Sequence, residues 1–320
     1  MRATMRTALV TGGAGFIGSH LVERLLDAGW RVRVLDDFSS GSRENLRPVA
    51  DRLEVIEGDT RDAAVCQAAC RGVEHVFHLA AIASVVASVD DPIASHDVTL
   101  GGTLNMLVAA RDQGARRFVF SSSASVYGNA ETSPTGEEQP ISPESPYASA
   151  KAAGELYCRN FTTLYGLETV VLRYFNVFGP RQSATSGYAA VIPLFVRAAI
   201  TGRTPIVYGD GLQTRDFVYV ENIVAANIRA GEAEGIAGQT FNIAGGQGIS
   251  LLDLLALLER VTGKRLAPEF QPARAGEVRH SCANIARARC ILGYEPAVSL
   301  ATGLKLTVDA ALAATKYSPV

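Results

Sequence analysis

A glycine-rich segment near the N-terminus constrains the fold more than any other feature of the chain. Residues 11–18, read as Thr-Gly-Gly-Ala-Gly-Phe-Ile-Gly, follow a short apolar run and precede an amphipathic stretch. Glycine in this spacing allows a tight turn, close backbone approach to a diphosphate and close packing of a helix on a strand. The helix N-terminus would present unpaired N–H groups to phosphates. The segment therefore predicts a dinucleotide site at Gly12, Gly15, Phe16, Ile17 and Gly18, with a ligand-free glycine turn as the alternative.

The rest of the first half alternates short β-branched runs with longer amphipathic stretches. The pattern predicts helices over residues 16–28 and 94–112. The predicted strands cover residues 8–10, 31–35, 53–56, 75–79, 118–120 and 169–172. Strands that alternate with helices form a parallel sheet covered on both faces. The predicted fold class is therefore α/β, a doubly wound parallel sheet of the Rossmann type.

The pattern changes after residue 176, where Gly, Pro and short helical stretches dominate. Further helices are predicted over residues 189–200, 220–230, 251–261 and 300–313. Residues 217–220 and 240–243 are candidates for strands that return to the main sheet. We expect residues 1–175 and about 216–245 to form the dinucleotide-binding domain. Residues 176–215 and 246–320 would form a smaller C-terminal substrate domain.

Composition excludes several classes of function. The formal net charge is −2 and no basic run stands out, so binding to nucleic acid or to an anionic membrane is not expected. No apolar stretch is long enough to span a bilayer, and the N-terminus lacks a signal-peptide core. The five cysteines make no CxxC pair and the five histidines no HExxH pattern, so no metal site is expected. These features predict a cytoplasmic protein.

Acidic residues at the ends of two predicted strands bear on the identity of the dinucleotide. Asp36 ends the second strand, where a carboxylate accepts hydrogen bonds from ribose hydroxyls and repels a 2′-phosphate. The sequence therefore predicts NAD rather than NADP. Asp59 ends the third strand, where it could either reach the adenine or cap the next helix.

A serine run and a Tyr-x-x-x-Lys pair form the candidate catalytic group. Ser121, Ser122 and Ser123 follow the strand predicted at residues 118–120. Tyr147 and Lys151 are four residues apart, on one face of a predicted helix. A tyrosine with its ordinary pKa of about 10 is a poor base, so a neighbouring ammonium would be needed to lower that pKa. With NAD these groups would oxidise a carbinol: the phenol takes the proton and a serine hydrogen-bonds the reacting oxygen. Tyr127 is a rival aromatic, but it lacks such a lysine and is expected to pack.

Together these motifs resemble the extended short-chain dehydrogenase/reductase family. In detail the chain is similar to its UDP-glucose and UDP-N-acetylglucosamine 4-epimerases, from residue 7 to the C-terminal helix. The matching segments are TGGAGFIGSHL from residue 11, FSSSASVYG from 120, SPYASAK from 145, RYFNVFGPRQ from 173, YGDGLQTRDFVYVENI from 208 and RAGEVRHS from 274. The resemblance implies an isomerase with tightly bound NAD, a UDP-sugar substrate and a homodimer joined through residues 94–112 and 147–164.

The resemblance also implies roles for individual residues. The catalytic residues would be Ser123, Tyr147 and Lys151. The cofactor would contact Gly12, Gly15, Phe16, Ile17, Gly18, Asp36, Asp59, Thr60, Leu79, Ala80, Ala81, Thr99, Ser121, Tyr147, Lys151 and Tyr174. The substrate would contact Ser123, Asn176, Val191, Tyr208, Arg215, Arg274, Glu277 and Ser281. Among these, Asn176, Arg215 and Arg274 would bind the diphosphate and Tyr208 the uracil. Surface ion pairs are the alternative for the two arginines, and core packing is the alternative for Tyr208. Thr99 stands where the family often has Asn.

Two positions favour a 4-epimerase over its relatives. Sugar 4,6-dehydratases of the family carry an Asp-Glu pair where this chain has Ala124 and Ser125, and related decarboxylases keep the Glu. Neither residue here can supply the additional acid–base chemistry. The resemblance also implies that Ser281 stands where, in the family, a large tyrosine excludes an N-acetyl group, so we expect N-acetylated UDP-hexoses to be accepted. The alternatives are an epimerase or reductase of another nucleotide sugar, such as a UDP-uronic acid, and a non-catalytic NAD sensor.

Overall fold

The computed structural model describes residues 6–130, 132–184, 189–273 and 278–317. Its strands are β1 (Thr7–Thr11), β2 (Arg31–Asp36), β3 (Leu53–Glu57), β4 (His75–His78), β5 (Arg117–Ser123), β6 (Glu168–Tyr174), β7 (Asn176–Phe178), β8 (Ile206–Tyr208), β9 (Thr214–Tyr219), β10 (Gln239–Ile243), β11 (Gly248–Ser250) and β12 (Glu269–Gln271). Its α-helices are α1 (Phe16–Asp27), α2 (Arg43–Leu46), α3 (Ala63–Cys70), α4 (Val85–Asp90), α5 (Pro92–His96), α6 (Gly102–Asp112), α7 (Pro146–Tyr165), α8 (Val191–Thr201), α9 (Val220–Glu232), α10 (Leu251–Thr262) and α11 (Leu300–Tyr317).

The main sheet has seven parallel strands in the order β10-β6-β5-β4-β1-β2-β3. The strand order reverses between β1 and β4, because β2 and β3 continue to one side and β5 and β6 to the other. Open α/β sheets bind ligands outside the carboxyl ends of the strands at such a switch point. The predicted fold class is confirmed, and the glycine-rich segment lies at that position.

Two apolar layers cover the main sheet. One contains side chains of α1 and α9, among them Leu21, Leu25 and Ile223. The other contains side chains of α3, α6 and α7, among them Met106 and Phe161. The central strands β1, β4, β5 and β6 are buried on both faces, as expected for a covered parallel sheet, whereas the edge strand β3 is largely exposed.

A third apolar core lies in the C-terminal half, among α8, α10 and α11. It packs against a three-stranded sheet in the order β11-β9-β7. The interpretation of residues 217–220 as a strand of the main sheet is therefore wrong, because β9 pairs with β7 and β11 instead. The strand predicted at residues 240–243 does join the main sheet, beside β6. The domain boundaries given above remain a proposal.

The helix predicted over residues 94–112 is a helical run from Pro92 to Asp112 that contains a π turn at Asp97–Gly101. Single π turns within α-helices are frequent at functional sites. This one carries Thr99, whose side chain is buried. Among the described residues, no helix is long and apolar enough to cross a membrane.

Candidate active site

A cleft of about 340 Å³ opens at the carboxyl ends of the central strands. Its walls come from the start of α1, the segments after β4 and β5, the start of α7 and the chain after β6. The described residues that line it are Phe16, Ile17, Ala83, Ser122, Ser123, Tyr147, Tyr174, Phe175, Val177, Gln182, Ser183, Ala189 and Ala190. The cleft thus brings predicted cofactor residues and two of the three predicted catalytic residues to one place.

The glycines of the N-terminal segment are required by close contacts. Gly12 has a φ of +66°, and a Cβ built on it would lie 3.0 Å from the backbone nitrogen of Ala80. A Cβ on Gly18 would lie 2.1 Å from the carbonyl oxygen of Gly12. Glycine therefore lets the turn approach β4 and lets α1 pack directly on the turn.

The N-terminus of α1 fits the diphosphate of a dinucleotide. Gly15 is the N-cap, and no side chain makes a capping hydrogen bond there among the described residues. Phe16 and Ile17, the first two residues of the helix, both line the cleft. First-turn N–H groups that no side chain caps, at the positive end of a helix dipole, are the donors that phosphate oxygens need.

Asp36 is buried at the end of β2 and is bonded to the glycine turn. Its Oδ2 accepts a hydrogen bond from the Ala14 N–H at 2.8 Å and its Oδ1 accepts one from the Phe38 N–H at 2.9 Å. Burial raises the pKa of this carboxyl, and the two backbone N–H groups act in the opposite direction. Each carboxylate oxygen keeps further acceptor capacity, so Asp36 can shape the turn and also receive ribose hydroxyls.

Asp59 does not cap the following helix. Asp62 does so instead, since its Oδ1 accepts from the Ala64 N–H at 2.8 Å. Asp59 pairs with Arg61 at 2.6 Å, and that hydrogen bond holds the pKa of its carboxyl below the ordinary value. The capping alternative for Asp59 is thus wrong, and contact with the adenine remains a prediction. The neighbouring Thr60 is buried.

The segment after β4, which carries Leu79, Ala80 and Ala81, is held by a buried threonine. The Thr11 hydroxyl accepts from the backbone N–H groups of Leu79 and Ala80, each at 3.2 Å. The hydroxyl of Thr99 likewise accepts from the Ile82 N–H at 3.3 Å. The predicted cofactor segment therefore has its backbone fixed at both ends, and Thr99 has a structural partner.

His78 completes this arrangement and was not singled out by the sequence. Its Nδ1 lies 2.8 Å from the Thr11 hydroxyl and its Nε2 lies 2.9 Å from the Thr103 hydroxyl. Because Thr103 donates its one hydroxyl hydrogen to the Thr99 carbonyl at 2.6 Å, it must accept from His78. His78 is thus neutral with its proton on Nε2. Burial lowers the pKa of the ring to about 3, which agrees with that assignment.

Helix α7 carries the Tyr147 and Lys151 pair. Ser145 caps it by accepting from the Ala148 N–H at 3.2 Å, and Pro146 occupies the first turn. The helix lies close to β5, because a Cβ on Gly154 would be 2.7 Å from the Phe120 ring. This close contact fixes the two residues relative to the serines at the end of β5.

Lys151 is bonded to that strand rather than to the phenol. Its Nζ donates to the Ser121 carbonyl oxygen at 2.7 Å and lies 5.9 Å from the centre of the Tyr147 ring. The hydroxyl of Ser121 lies 2.9 Å from the Tyr174 hydroxyl, which donates to Asn227 at 2.9 Å. Burial lowers the pKa of Lys151 to about 8. The predicted cofactor residues Ser121 and Tyr174 thus form one hydrogen-bonded unit.

Tyr147 departs from the expectation for its acidity. Its phenol was predicted to have a pKa lowered by Lys151, but in this structure burial raises that pKa to about 12. Hydrogen bonding with the Ser123 side chain acts in the lowering direction. The expectation failed because the loss of solvent around the phenol outweighs a cation whose nearest partner is the Ser121 carbonyl.

Ser123 is the one predicted substrate residue that lines the described part of the cleft. The other predicted substrate residues that the structure describes lie on the C-terminal side, away from that lining. Their positions are Asn176 on β7, Val191 at the start of α8, Tyr208 at the end of β8, Arg215 on β9 and Ser281 beside β9. The backbone N–H of Ser281 donates to the carbonyl oxygen of Thr214, the residue before Arg215, at 3.1 Å. The structure therefore brings the backbone of Ser281 close to that of Arg215. Arg274 and Glu277 lie outside the described residues.

Comparison with known proteins places the chain among nucleotide-sugar enzymes. The model of the NAD dependent epimerase/dehydratase family matches residues 8–244. This chain belongs to that family. The UDP-glucose 4-epimerase of Mycolicibacterium smegmatis is 44% identical over 309 residues, which cover 95% of this chain and 98% of the relative.

Two solved structures of similar proteins extend the likeness to the whole fold. One is the UDP-glucose 4-epimerase of Thermotoga maritima with UDP-glucose, at a TM-score of 0.92 and 39% identity over 96% of this chain and 99% of that one. The other is the UDP-N-acetylglucosamine 4-epimerase of Methanobrevibacter ruminantium in complex with UDP-N-acetylmuramic acid. Its TM-score is 0.93 and its sequence identity 37%, and the match covers 98% of this chain and 100% of that one. As a member of the NAD dependent epimerase/dehydratase family, the chain is a nucleotide-sugar enzyme that uses NAD.

A buried ion pair in this family member was missed by the sequence reasoning. Glu155 and Arg173 form two hydrogen bonds, Nε to Oε1 at 2.9 Å and Nη2 to Oε2 at 2.6 Å, and both side chains are only 7% exposed. The Ser122 hydroxyl donates to Glu155 at 2.5 Å, and Arg173 donates to the Tyr127 hydroxyl at 2.7 Å. Glu155 follows Lys151 by one helical turn, which was the available signal. Tyr127 is buried, as expected, but as part of this polar network.

Asp216 was also missed. It is fully buried on β9, and its carboxylate accepts from the N–H groups of Gly245, Gly246 and Ala283 at 2.8, 3.0 and 3.1 Å. Burial raises the pKa of Asp216 to about 6, with these N–H groups opposing the shift. The residue holds the segment with Ser281 against the strand with Arg215.

Proposed function

We propose that the protein is an NAD-dependent UDP-hexose 4-epimerase. It would interconvert UDP-glucose with UDP-galactose and UDP-N-acetylglucosamine with UDP-N-acetylgalactosamine, through a 4-keto sugar. The observation that carries the proposal is the placement of Tyr147 and Ser123 in one cleft with the start of α1, with Lys151 held beside them by Ser121. The similar 4-epimerases support it.

The residues of the chain divide the work as follows. Tyr147 takes the proton of the sugar 4-hydroxyl, and Ser123 hydrogen-bonds the reacting oxygen. Lys151 provides a fixed positive charge and a donor for the nicotinamide ribose. Bound NAD supplies the acceptor and the donor of the hydride at carbon 4, and a positive charge that favours the ionised phenol. Tyr147 returns the proton after the keto sugar has turned over, so the cycle has no net redox change.

The lining of the cleft supports epimerisation over elimination or decarboxylation. Among the described lining residues there is no Asp, Glu, His, Lys or Arg. Elimination across carbons 5 and 6 needs an additional acid and base, and Ala124 and Ser125 supply neither. A uronate substrate would bring a carboxylate that needs a cationic partner. The described part of the cleft therefore suits a neutral hexose.

The proposal is tested by incubating the purified protein with UDP-glucose, UDP-galactose and their N-acetylated counterparts, without added reductant, and separating the epimers. We expect each pair to reach the same mixture from either side. Conversion that consumes a soluble reductant, or no conversion of any of the four, would rule the proposal out. An NAD-sensing protein would bind the cofactor and leave every sugar unchanged.

Ser123→Ala should shift the pH dependence of the reaction. Ser123 lowers the pKa of the Tyr147 phenol, so removing its hydroxyl leaves that pKa higher. At any pH below that pKa, a smaller fraction of the phenol is ionised than in the wild type. The acidic limb of the plot of kcat/KM against pH therefore moves to higher pH. We expect a loss of about 10²-fold near neutrality. Ser125→Ala is the matched control, since the Ser125 hydroxyl has no hydrogen-bond partner within the described part of the chain. This variant should leave the profile in place. An unmoved limb in Ser123→Ala would contradict the assigned role.

Ser281→Tyr should change substrate choice. A large side chain at this position would exclude an N-acetyl group, so turnover of UDP-N-acetylglucosamine should fall by at least about 10²-fold while UDP-galactose is spared. Ser281→Ala, which stays small, should retain both activities. Competition of the two substrates in one assay measures the ratio. An equal loss of both in Ser281→Tyr would show that Ser281 does not control the 2-substituent.

We also propose how the rest of the substrate and cofactor is bound. Asn176, Arg215 and Arg274 would bind the diphosphate, because a diphosphate suits guanidinium forks and amide donors. Tyr208 would contact the uracil. These residues belong to the segments 176–215 and 246–320 proposed as the substrate domain.

A homodimer joined through α7 and its neighbours is proposed as the assembly. Exposed apolar side chains gather on α4, α5 and α7, which contact one another. They are Val85, Val86, Val89, Ile93, Leu156 and Leu164. Apolar patches of this kind mark interfaces. Besides α7, this surface lies on residues 85–93, and among the described residues no exposed large apolar side chain lies within 94–112. Sedimentation should give the mass of a dimer for the wild type and the mass of a monomer for Val89→Asp. A monomeric wild type would contradict the proposal.

A further inference from the structure

Gln182 is a residue of the cleft with an unused acceptor. Its Nε2 donates to the Val177 carbonyl oxygen at 3.1 Å, while its Oε1 is buried and has no hydrogen-bond partner among the described residues. The side chain lines the same cleft as Tyr147 and Ser123. An unsatisfied buried acceptor at a binding cleft is costly unless a ligand supplies the missing donor.

The orientation of the amide follows from its fixed end. Rotating the amide by half a turn would place Oε1 against the Val177 carbonyl oxygen, and two acceptors repel one another. The nitrogen therefore faces Val177 and the oxygen is the atom left over. Val177 itself is held in β7, which pairs with β9. The free acceptor is thus Oε1 in a defined direction.

The loop that carries Gln182 is held in place independently of any ligand. Arg181 donates to Glu23 of α1 at 2.6 Å, and the His20 ring donates to the Pro180 carbonyl at 3.1 Å. The backbone N–H of Gln182 donates to the Gly179 carbonyl oxygen at 3.4 Å. An acceptor on such a fixed loop loses little freedom when a ligand binds, so it can discriminate between ligands.

We infer that the Gln182 Oε1 accepts a hydrogen bond from a ring hydroxyl of the hexosyl group and so helps to select the sugar. The inference rests on the proposed function and adds a specificity-determining residue to it. The wall around Gln182, with Val177, Ser183 and Ala189, belongs to the segment proposed to bind substrate. A hexose offers O–H donors there, and its C–H surface suits the apolar neighbours.

The test is a double-mutant cycle in which one change is made in the protein and the other is the removal of one hydroxyl from the sugar. Wild type and Gln182→Met are compared on UDP-galactose and on its 2-deoxy, 3-deoxy and 6-deoxy analogues, by kcat/KM. In the wild type one analogue should lose about 10²-fold, because it leaves the buried acceptor unpaired. In Gln182→Met the same analogue should differ from the parent sugar by less than about 3-fold. Gln182→Ala serves in place of Gln182→Met if the latter does not fold.

The controls separate the possible failures. Gln113→Met, a change of the same chemistry at a residue bonded to Gln67 outside the cleft, should keep the wild-type pattern. If the wild type epimerises UDP-galactose but every analogue loses the same factor in both proteins, Gln182 does not contact a ring hydroxyl. Loss of bound NAD in Gln182→Met would assign the acceptor to the cofactor amide and overturn the inference. A wild type without epimerase activity would instead refute the proposed function.

Discussion

Tyr147→Phe is expected to lower kcat by about 10³-fold, because it removes the only group assigned to move the sugar 4-hydroxyl proton. The ring remains, so packing in the cleft is kept and KM should change little. NAD should stay bound, because Lys151, the proposed donor to the nicotinamide ribose, keeps its position through its hydrogen bond to the Ser121 carbonyl. Single-turnover and steady-state kinetics with UDP-galactose measure the loss, and the absorbance of the purified protein reports the cofactor.

Tyr157→Phe is the matched control for this change. Tyr157 lies on the same helix and packs, partly buried, against the apolar layer that contains Phe161. Its loss of one hydroxyl should leave kcat within about 3-fold of wild type. A Tyr147→Phe protein with near-wild-type kcat would remove the phenol from the mechanism.

Glu155→Ala is expected to lower the free energy of unfolding by about 3–5 kcal/mol, because it leaves the Arg173 guanidinium buried without its counter-charge. The Ser122 hydroxyl also loses its acceptor. Since Ser122 lies between the two serines that contact Lys151 and Tyr147, residual activity should fall together with stability. Urea unfolding followed by circular dichroism measures the difference.

Two comparisons make this prediction specific to burial. The double variant Glu155→Leu with Arg173→Met should recover most of the stability, because no unpaired charge remains. Asp210→Ala breaks the exposed pair with Arg279, where the side chains are 49% and 53% exposed, and should change stability little. A Glu155→Ala protein as stable as wild type would show that solvent reaches Arg173.

The parts of the fold that local sequence determines were predictable. Glycine spacing, β-branched runs and the Tyr-x-x-x-Lys pair each depend on residues close in sequence, and the structure confirms the strand, turn and helix at residues 7–27 and the helix that carries Tyr147. Residues 217–220 were misassigned because a buried strand has the same apolar pattern in either sheet. Only the pairing of β9 with β7 and β11 distinguishes them.

The polar groups that organise the site depend on contacts distant in sequence. His78 connects Thr11 to Thr103, and Asp216 joins β9 to Gly245 and Ala283. No local pattern shows that these side chains are buried and bonded. The raised pKa of Tyr147 has the same origin, since spacing shows a nearby lysine but not the extent of burial around the phenol.

The fate of a deuterium label at carbon 4 of the hexose tests the central claim most directly. UDP-galactose labelled there is converted in ordinary water, and both epimers are analysed by mass spectrometry and NMR. The account predicts that the label stays on carbon 4 in substrate and product, because the hydride leaves and returns within one closed site while only the hydroxyl proton passes through Tyr147. Loss of the label to solvent would contradict it.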